Sequence, residues 1–234
     1  MSVKVAVRVR PFNEREQKAQ PKCCVEMSGP TTTLLPPHGD APRHFTFDYS
    51  FWPHDPFDMT PEGLAVPAGE SSPYADQAYV YDALGKQVLD NAWAGYHCCL
   101  FAYGQTGSGK SYSMVGHGAN EGIVPQACHE IFRRMGENKD KENKFEVQFS
   151  MLEIYNEKVA DLLDKSNNPQ RTAALKVREN KGEIYVQGLS KHPVNSYEAI
   201  AKKMDEGYTS RSIGATLMNQ TSSRAHTIIT IEFK

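Results

Sequence analysis

The stretch Leu100-Phe101-Ala102-Tyr103-Gly104-Gln105-Thr106-Gly107-Ser108-Gly109-Lys110-Ser111 fits G-x-x-x-x-G-K-[ST] from Gly104 to Ser111, and its reading decides the fold. Each residue type meets a need of a polyphosphate. Gly104, Gly107 and Gly109 let the backbone turn tightly, so that successive N–H groups point at phosphate oxygens with no side chain in the way. Lys110 carries a flexible ammonium that can reach the outer two phosphates. The Ser111 hydroxyl is a small, hard oxygen ligand suited to magnesium. Gln105, Thr106 and Ser108 complete a loop that reads as a nucleoside triphosphate site.

The flanks supply the required context. His97-Cys98-Cys99-Leu100-Phe101-Ala102 is short, apolar and continuous, which predicts a strand buried on both faces. The residues after Lys110 predict a helix whose N-terminus faces the phosphates. A glycine-rich turn without a ligand is the plain alternative; three glycines with Lys-Ser in register argue against it.

Composition narrows the class. Among 234 residues, 26 Lys plus Arg face 28 Asp plus Glu, and the net charge of −2 gives no global case for nucleic acid or a membrane surface. No apolar run is long enough to cross a bilayer. Val3-Lys4-Val5-Ala6-Val7-Arg8-Val9 opens the chain without a signal peptide's apolar core, so a soluble, intracellular protein without membrane insertion is expected. Five cysteines, including the pairs Cys23-Cys24 and Cys98-Cys99, make no disulfide framework; Cys98 and Cys99 read as small buried hydrophobes.

Outward from the loop, the chain alternates between strand and helix patterns. Val3, Val5, Val7 and Val9 predict a strand ended by Pro11. Cys24 to Met27 and Thr31 to Leu35 predict a hairpin turning at Ser28-Gly29-Pro30, followed by a strand from His44 to Phe47. Pro53 to Pro73 has no periodicity and reads as a mobile surface loop. Asp76 to Trp93 predicts a helix ending before Gly95, and a second follows Gly122 up to Gly136. The mixed-sign run from Glu137 to Lys144 reads as a solvated turn. Phe145, Val147, Phe149 and Met151 alternate as a strand running toward Tyr155, with a short helix expected over Val159 to Leu163. Leu175 to Val177 and Ile184 to Val186 form a predicted strand pair. Asn195 or Ser196 caps a helix to about Ser212, with Glu198 placed to bond back, and a final strand carries Ile229, Ile231 and Phe233. The whole reads as one domain: a three-layer α/β P-loop NTPase fold with a mixed, largely parallel central sheet flanked by helices. No internal repeat is seen.

A second constellation, Asn219-Gln220-Thr221-Ser222-Ser223-Arg224-Ala225-His226, sets short hydroxyls beside a permanent cation, donors suited to a γ-phosphate, a magnesium ion and an anionic latch. Taken with Val7-Arg8-Val9-Arg10-Pro11-Phe12 and the phosphate loop, in this order, the chain resembles the kinesin motor domain from Val3 to Lys234. Met27-Ser28-Gly29, Phe47-Asp48-Tyr49-Ser50-Phe51-Trp52 and the Ser-Ser-Arg-Ala-His variant are similar to the kinesin-3, or Unc-104-like, branch of vesicle and organelle transporters.

The resemblance implies roles. Gly104 to Ser111 would hold ATP phosphates and Mg2+, with Lys110 on the outer phosphates and Ser111 on the metal. Arg8, Arg10 and Pro11 would line the adenine and ribose side. Tyr112 would stack on the base opposite Pro11, or else pack on the sheet. Asn219 to His226 would form the first switch loop, in which Ser223 meets the γ-phosphate or magnesium, Ser222 helps position the attacking water, and Arg224 pairs with a glutamate of the second switch. Microtubules (tubulin) would be the partner, in the cytoplasm and on the cytoskeleton, with cargo bound through segments outside this chain. Lys176, Arg178, Glu179 and Lys181 lie at the turn that would touch β-tubulin; a solvated hairpin tip is the alternative.

The family's second switch strand, main tubulin-binding helix and neck linker have no counterpart between Met1 and Lys234. The expectation is therefore a C-terminally truncated motor domain with a gap in its sheet, unstable in isolation. Two readings compete with an active motor. One is a nucleotide-binding remnant or regulatory truncation without motor activity. The other is a small-molecule kinase, for which no lid is found.

Overall fold

The computed structural model describes residues 3–37, 39–54, 56–139, 144–164, 174–217 and 225–234. They group into two units, Met1–Ala127 and Cys128–Lys234.

In the first unit, the opening valine alternation yields only a short strand, β1 (Ala6–Arg8). Its partner, described below, is equally short, and Val3 and Val5 stay exposed. Asn13 then starts the single-turn helix α1 (Glu14–Lys18) with a capping box, in which its side chain accepts from the Glu16 N–H and the Glu16 carboxylate accepts from the Asn13 N–H. The predicted hairpin is present as β2 (Val25–Ser28) and β3 (Thr31–Leu34), turning at Gly29 with φ +54°, and β4 (Arg43–Thr46) adds to β3 antiparallel. β5 (Tyr49–Phe51) lies parallel to β1, with Arg8 opposite Phe51.

Residues 53–73 hold more structure than the predicted loop. β6 (Phe57–Met59) and β7 (Ala65–Pro67) form an antiparallel ribbon. The ribbon is tied down by Asn120, whose amide accepts from the Ala65 N–H at 2.9 Å and donates to the Gly63 carbonyl at 2.8 Å. A polar side chain 55 residues downstream leaves no trace in local periodicity.

Asp76, expected as the first residue of the next helix, instead caps it by accepting from the Tyr79 N–H, so that the helix begins at Gln77. The helix is continuous but not uniform: α2 (Gln77–Val80) passes through a π turn (Tyr81–Gly85) into α3 (Lys86–Trp93). In the π turn the Tyr81 ring lies where a Cβ on Gly85 would be. Then follow α4 (Lys110–Met114), the two-residue strands β8 (Gly116–His117) and β9 (Asn120–Glu121), and α5 (Ile123–Glu137). The unit's core gathers Phe51, Ala75, Val80 and Ile123, with Leu100 against it.

The buried strand expected over residues 97–102 is not observed. Among the described residues nothing pairs with it, Cys98 and Cys99 are exposed rather than buried, and Phe101 is 79% exposed. Its composition suits a strand buried on both faces, yet it is mostly exposed, with Leu100 packed against the unit's core.

In the second unit, β10 (Val147–Tyr155) is the hub. Pairing antiparallel with it is β11 (Lys158–Asp161), which corrects the short helix expected over 159–163. Asn156 and Glu157, at φ +50° and +61°, make a two-residue hairpin turn. The chain therefore reverses at once, and Val159 and Asp161 face inward while Lys158 faces out. A second hairpin, β12 (Lys176–Asn180) with β13 (Glu183–Gln187), turns at Lys181-Gly182 as predicted.

β14 (His192–Val194) joins β10, and α6 (Tyr197–Leu217) starts where Ser196 accepts from the Ala199 N–H. α6 runs five residues past the predicted end. β15 (His226–Phe233) completes the sheet against β10 from Val147 to Ile154. Phe149, Met151, Ile200 and Cys128 are fully buried here. All three pairings of β10 are antiparallel, one of them through the tight hairpin to β11; parallel pairing among the described residues is that of β1 with β5 and a Trp52–Tyr74 bridge, a smaller share than the alternation of strands and helices suggested.

Candidate functional site

The loop backbone has the conformation its glycines were expected to permit: φ is +155° at Gly104, +79° at Gly107 and +93° at Gly109. A side chain at Gly104 would place its Cβ 2.5 Å from the Ser108 hydroxyl, so this position needs glycine for space as well as for φ. Gly109 hands the chain to α4, which closes through Ser113 N–H to Gly109 carbonyl (3.0 Å) and Val115 N–H to Ser111 carbonyl (2.8 Å). The Lys110 ammonium folds back over the loop and donates to the Gly104 and Gln105 carbonyls, both at 2.8 Å. Gln105, Thr106, Gly107 and Ser111 are exposed.

Beside the loop, a groove enclosing about 30 Å³ is walled by Arg8, Val9, Arg10, Pro11, Pro53, Ser108, Gly109, Tyr112 and Ser113. The structure thus brings Arg8, Arg10, Pro11 and Tyr112 together against one end of the phosphate loop. The enclosed volume is that of roughly one water molecule, so a larger group would lie along an open face.

Both arginines are held by protein partners. The Arg8 guanidinium donates to Gln77 Oε1 (2.7 Å), the Ser113 hydroxyl (3.1 Å) and the Ala75 carbonyl (3.3 Å), and lies 5.2 Å over the Tyr112 ring. Burial lowers its pKa, opposed by Tyr112, Tyr74 and Asp76. Arg10 forks onto both carboxylate oxygens of Glu16 at 2.6 and 2.5 Å, which holds the Glu16 carboxyl down at about 2. Burial raises the Tyr112 phenol, and raises Tyr74 to about 12, so both stay neutral hydrogen-bonding groups.

Sequence reasoning missed Gln77, Tyr74, Pro53 and Glu16. Glu16 carried a readable signal, since Asn13-x-x-Glu16 is a capping box. Gln77 carried none: a glutamine one residue after a helix cap is ordinary, and only the fold buries it to 4% exposure.

Asn219, Ser222, Ser223 and Arg224 lie outside the described residues, and with them most of the proposed first switch; His226 begins β15 opposite Ile154. The charged residues Lys176, Arg178, Glu179 and Lys181 are all exposed on the β12–β13 hairpin. Among the described residues no three His, Cys, Asp or Glu side chains converge as a metal cluster. A cation held by one serine hydroxyl together with phosphate oxygens needs no such cluster, and the exposed Ser111 hydroxyl at the loop's end fits that donor chemistry.

Comparison with known proteins gives a consistent result. A family model described as the kinesin motor domain matches residues 8–234. Human kinesin-like protein KIF1C is 47% identical over 99% of this chain, and mouse kinesin-like protein KIF28 is 43% identical over all of it. The chain spans 20% and 22% of the length of these two relatives. Among solved structures, KIF14 with ADP on a microtubule superposes with a TM-score of 0.83 at 39% identity, covering 99% of this chain and 61% of that one. A KIF14 dimer with AMP-PNP on a microtubule gives 0.84 at 38% identity, covering 100% and 61%. Fold and motif agree along the entire length, and the chain belongs to the kinesin motor domain family.

Proposed function

We propose that the chain is the nucleotide-binding portion of an ATP-dependent microtubule motor of the kinesin-3 type, coupling ATP hydrolysis to organelle or vesicle transport on cytoplasmic microtubules. The observation that carries this reading is the phosphate loop itself, with positive-φ glycines at Gly104, Gly107 and Gly109 and the Lys110 ammonium at the loop mouth. Loop amides and Lys110 would hold the polyphosphate, the ammonium exchanging its bonds to the Gly104 and Gln105 carbonyls for bonds to the outer phosphates. Pro11 and Tyr112 would flank the base, with Arg8 bracing the Tyr112 ring from behind. Magnesium, when bound to Ser111 and Ser223, would neutralise charge on the transferring phosphoryl group. Ser222 would position the attacking water, and Arg224 would pair with a glutamate of the second switch in a whole motor domain.

The partner would be the microtubule. Solved relatives are described on microtubules with ADP or AMP-PNP, and the β12–β13 hairpin offers exposed Lys176, Arg178 and Lys181 to an acidic surface. No helix among the described residues is long and apolar enough to cross a membrane, so cargo membranes would be reached through other segments.

ATP turnover with and without polymerised tubulin, alongside Lys110→Ala, tests the reading. Nucleotide binding that Lys110→Ala weakens by tenfold or more is the expected outcome; microtubule-stimulated turnover that vanishes in the same variant would place motor activity within these 234 residues. Binding without stimulated turnover would reduce the chain to a nucleotide-binding remnant.

A further inference from the structure

α4 has only five residues, Lys110–Met114, yet it carries both Lys110 and Ser111. A helix this short does not hold itself together, so its placement is decided by what grips it from outside. Two side chains grip its main chain and polar groups. Gln77 donates through Nε2 to the Tyr112 carbonyl at 2.7 Å, and Arg8 donates to the Ser113 hydroxyl at 3.1 Å. These two are themselves joined, Arg8 donating to Gln77 Oε1 at 2.7 Å. The second Nε2 proton of Gln77 goes to the Asn120 carbonyl at 3.2 Å, and Gln126 donates to the Gln77 main-chain carbonyl at 3.2 Å. Gln77 is 4% exposed, and its amide is engaged at both ends.

We infer that Gln77 is a positioning residue for the nucleotide site, its amide locking the main chain of α4 to Arg8 and so setting Lys110 and Ser111 against the phosphate loop. The consequence for nucleotide rests on the function proposed above. Only a carboxamide meets both demands of this position, since the oxygen must accept from a guanidinium while the nitrogen donates to main-chain carbonyls. No apolar residue does either, and a carboxylate does only the first.

Three variants test this in the 234-residue chain: Gln77→Glu, which keeps the acceptor for Arg8, Gln77→Met, which keeps only the shape, and Arg8→Met, which breaks the same link from the other side. Hydrogen exchange of the Ser113 and Val115 amides reads the placement of α4 without nucleotide, and the dissociation constant of a fluorescent ATP analogue reads the site. Both Gln77 variants should speed exchange at these two amides about tenfold and weaken binding about tenfold, leaving exchange in β10 unchanged. Arg8→Met serves if both Gln77 variants fail to fold. Unchanged exchange at Ser113 and Val115, acceleration extending equally to β10, or a dissociation constant equal to that of the unsubstituted chain each overturns the inference. An unsubstituted chain that binds no better than Lys110→Ala refutes the nucleotide reading instead, and exchange alone then decides the role of Gln77.

Discussion

Glu16 and Glu130 are single carboxylates whose surroundings set a pH window. Arg10 and the Asn13 N–H hold Glu16 at about 2, and Arg133 with Arg134 hold Glu130 at about 2, against an ordinary 4.5. A carboxylate with a lowered pKa contributes stability above its unfolded value and loses it as pH falls through the folded one. Denaturant midpoints should therefore drop as pH goes from 4.5 toward 2, and the double variant Glu16→Gln, Glu130→Gln should flatten that part of the profile. Both pairs are partly exposed, so added salt should shrink the effect. Lys110 differs in kind: its partners are main-chain carbonyls of its own loop, so Lys110→Ala should change nucleotide affinity far more than stability.

At the scale of elements, the hairpin between β10 and β11 shows where local chemistry was harder to read. Asn156 tolerates positive φ, but Glu157 at +61° bears a steric cost that glycine would not. Glu157→Gly should raise stability by roughly 0.5–1 kcal/mol in urea denaturation, after allowance for the looser unfolded chain. The hairpin at Lys181-Gly182 was legible because glycine marks it. The one at Asn156-Glu157 was not, since Val159 to Leu163, mostly apolar with Asp161 in its middle, is too short for periodicity to separate helix from strand. Capping was easier to see at α6, where Asn195 or Ser196 was the expected cap and Ser196 accepts from the Ala199 N–H.

For the molecule as a whole, residues 97–103 are the point of tension. The apolar segment leading into the phosphate loop is exposed, with Tyr103 at 95% and no paired strand among the described residues. Such an edge favours association with other chains, so the isolated 234-residue chain should be prone to aggregate and should unfold with low cooperativity. Thiol labelling checks the exposure directly. Cys98 and Cys99 should react fast with a thiol reagent in the native state, whereas Cys128, fully buried, should react only on unfolding. Protection of Cys98 and Cys99 would mean that this segment is covered in solution.

The family and the glycine-dependent turn of the 104–111 loop were legible in the sequence alone, because glycine, lysine and serine at fixed spacing form a local pattern that needs no distant partner. The hairpins marked by glycine and the capped helices were local in the same sense. Tertiary structure decided the rest. It turned Arg8 inward onto Gln77 and Ser113, committed Arg10 to Glu16, tied the 53–73 segment to Asn120, and left residues 97–102 without a paired strand among the described residues. Arg10 and Glu16 are only six residues apart, but each of the others depends on which distant group arrives beside a side chain, and spacing along the chain does not carry that information.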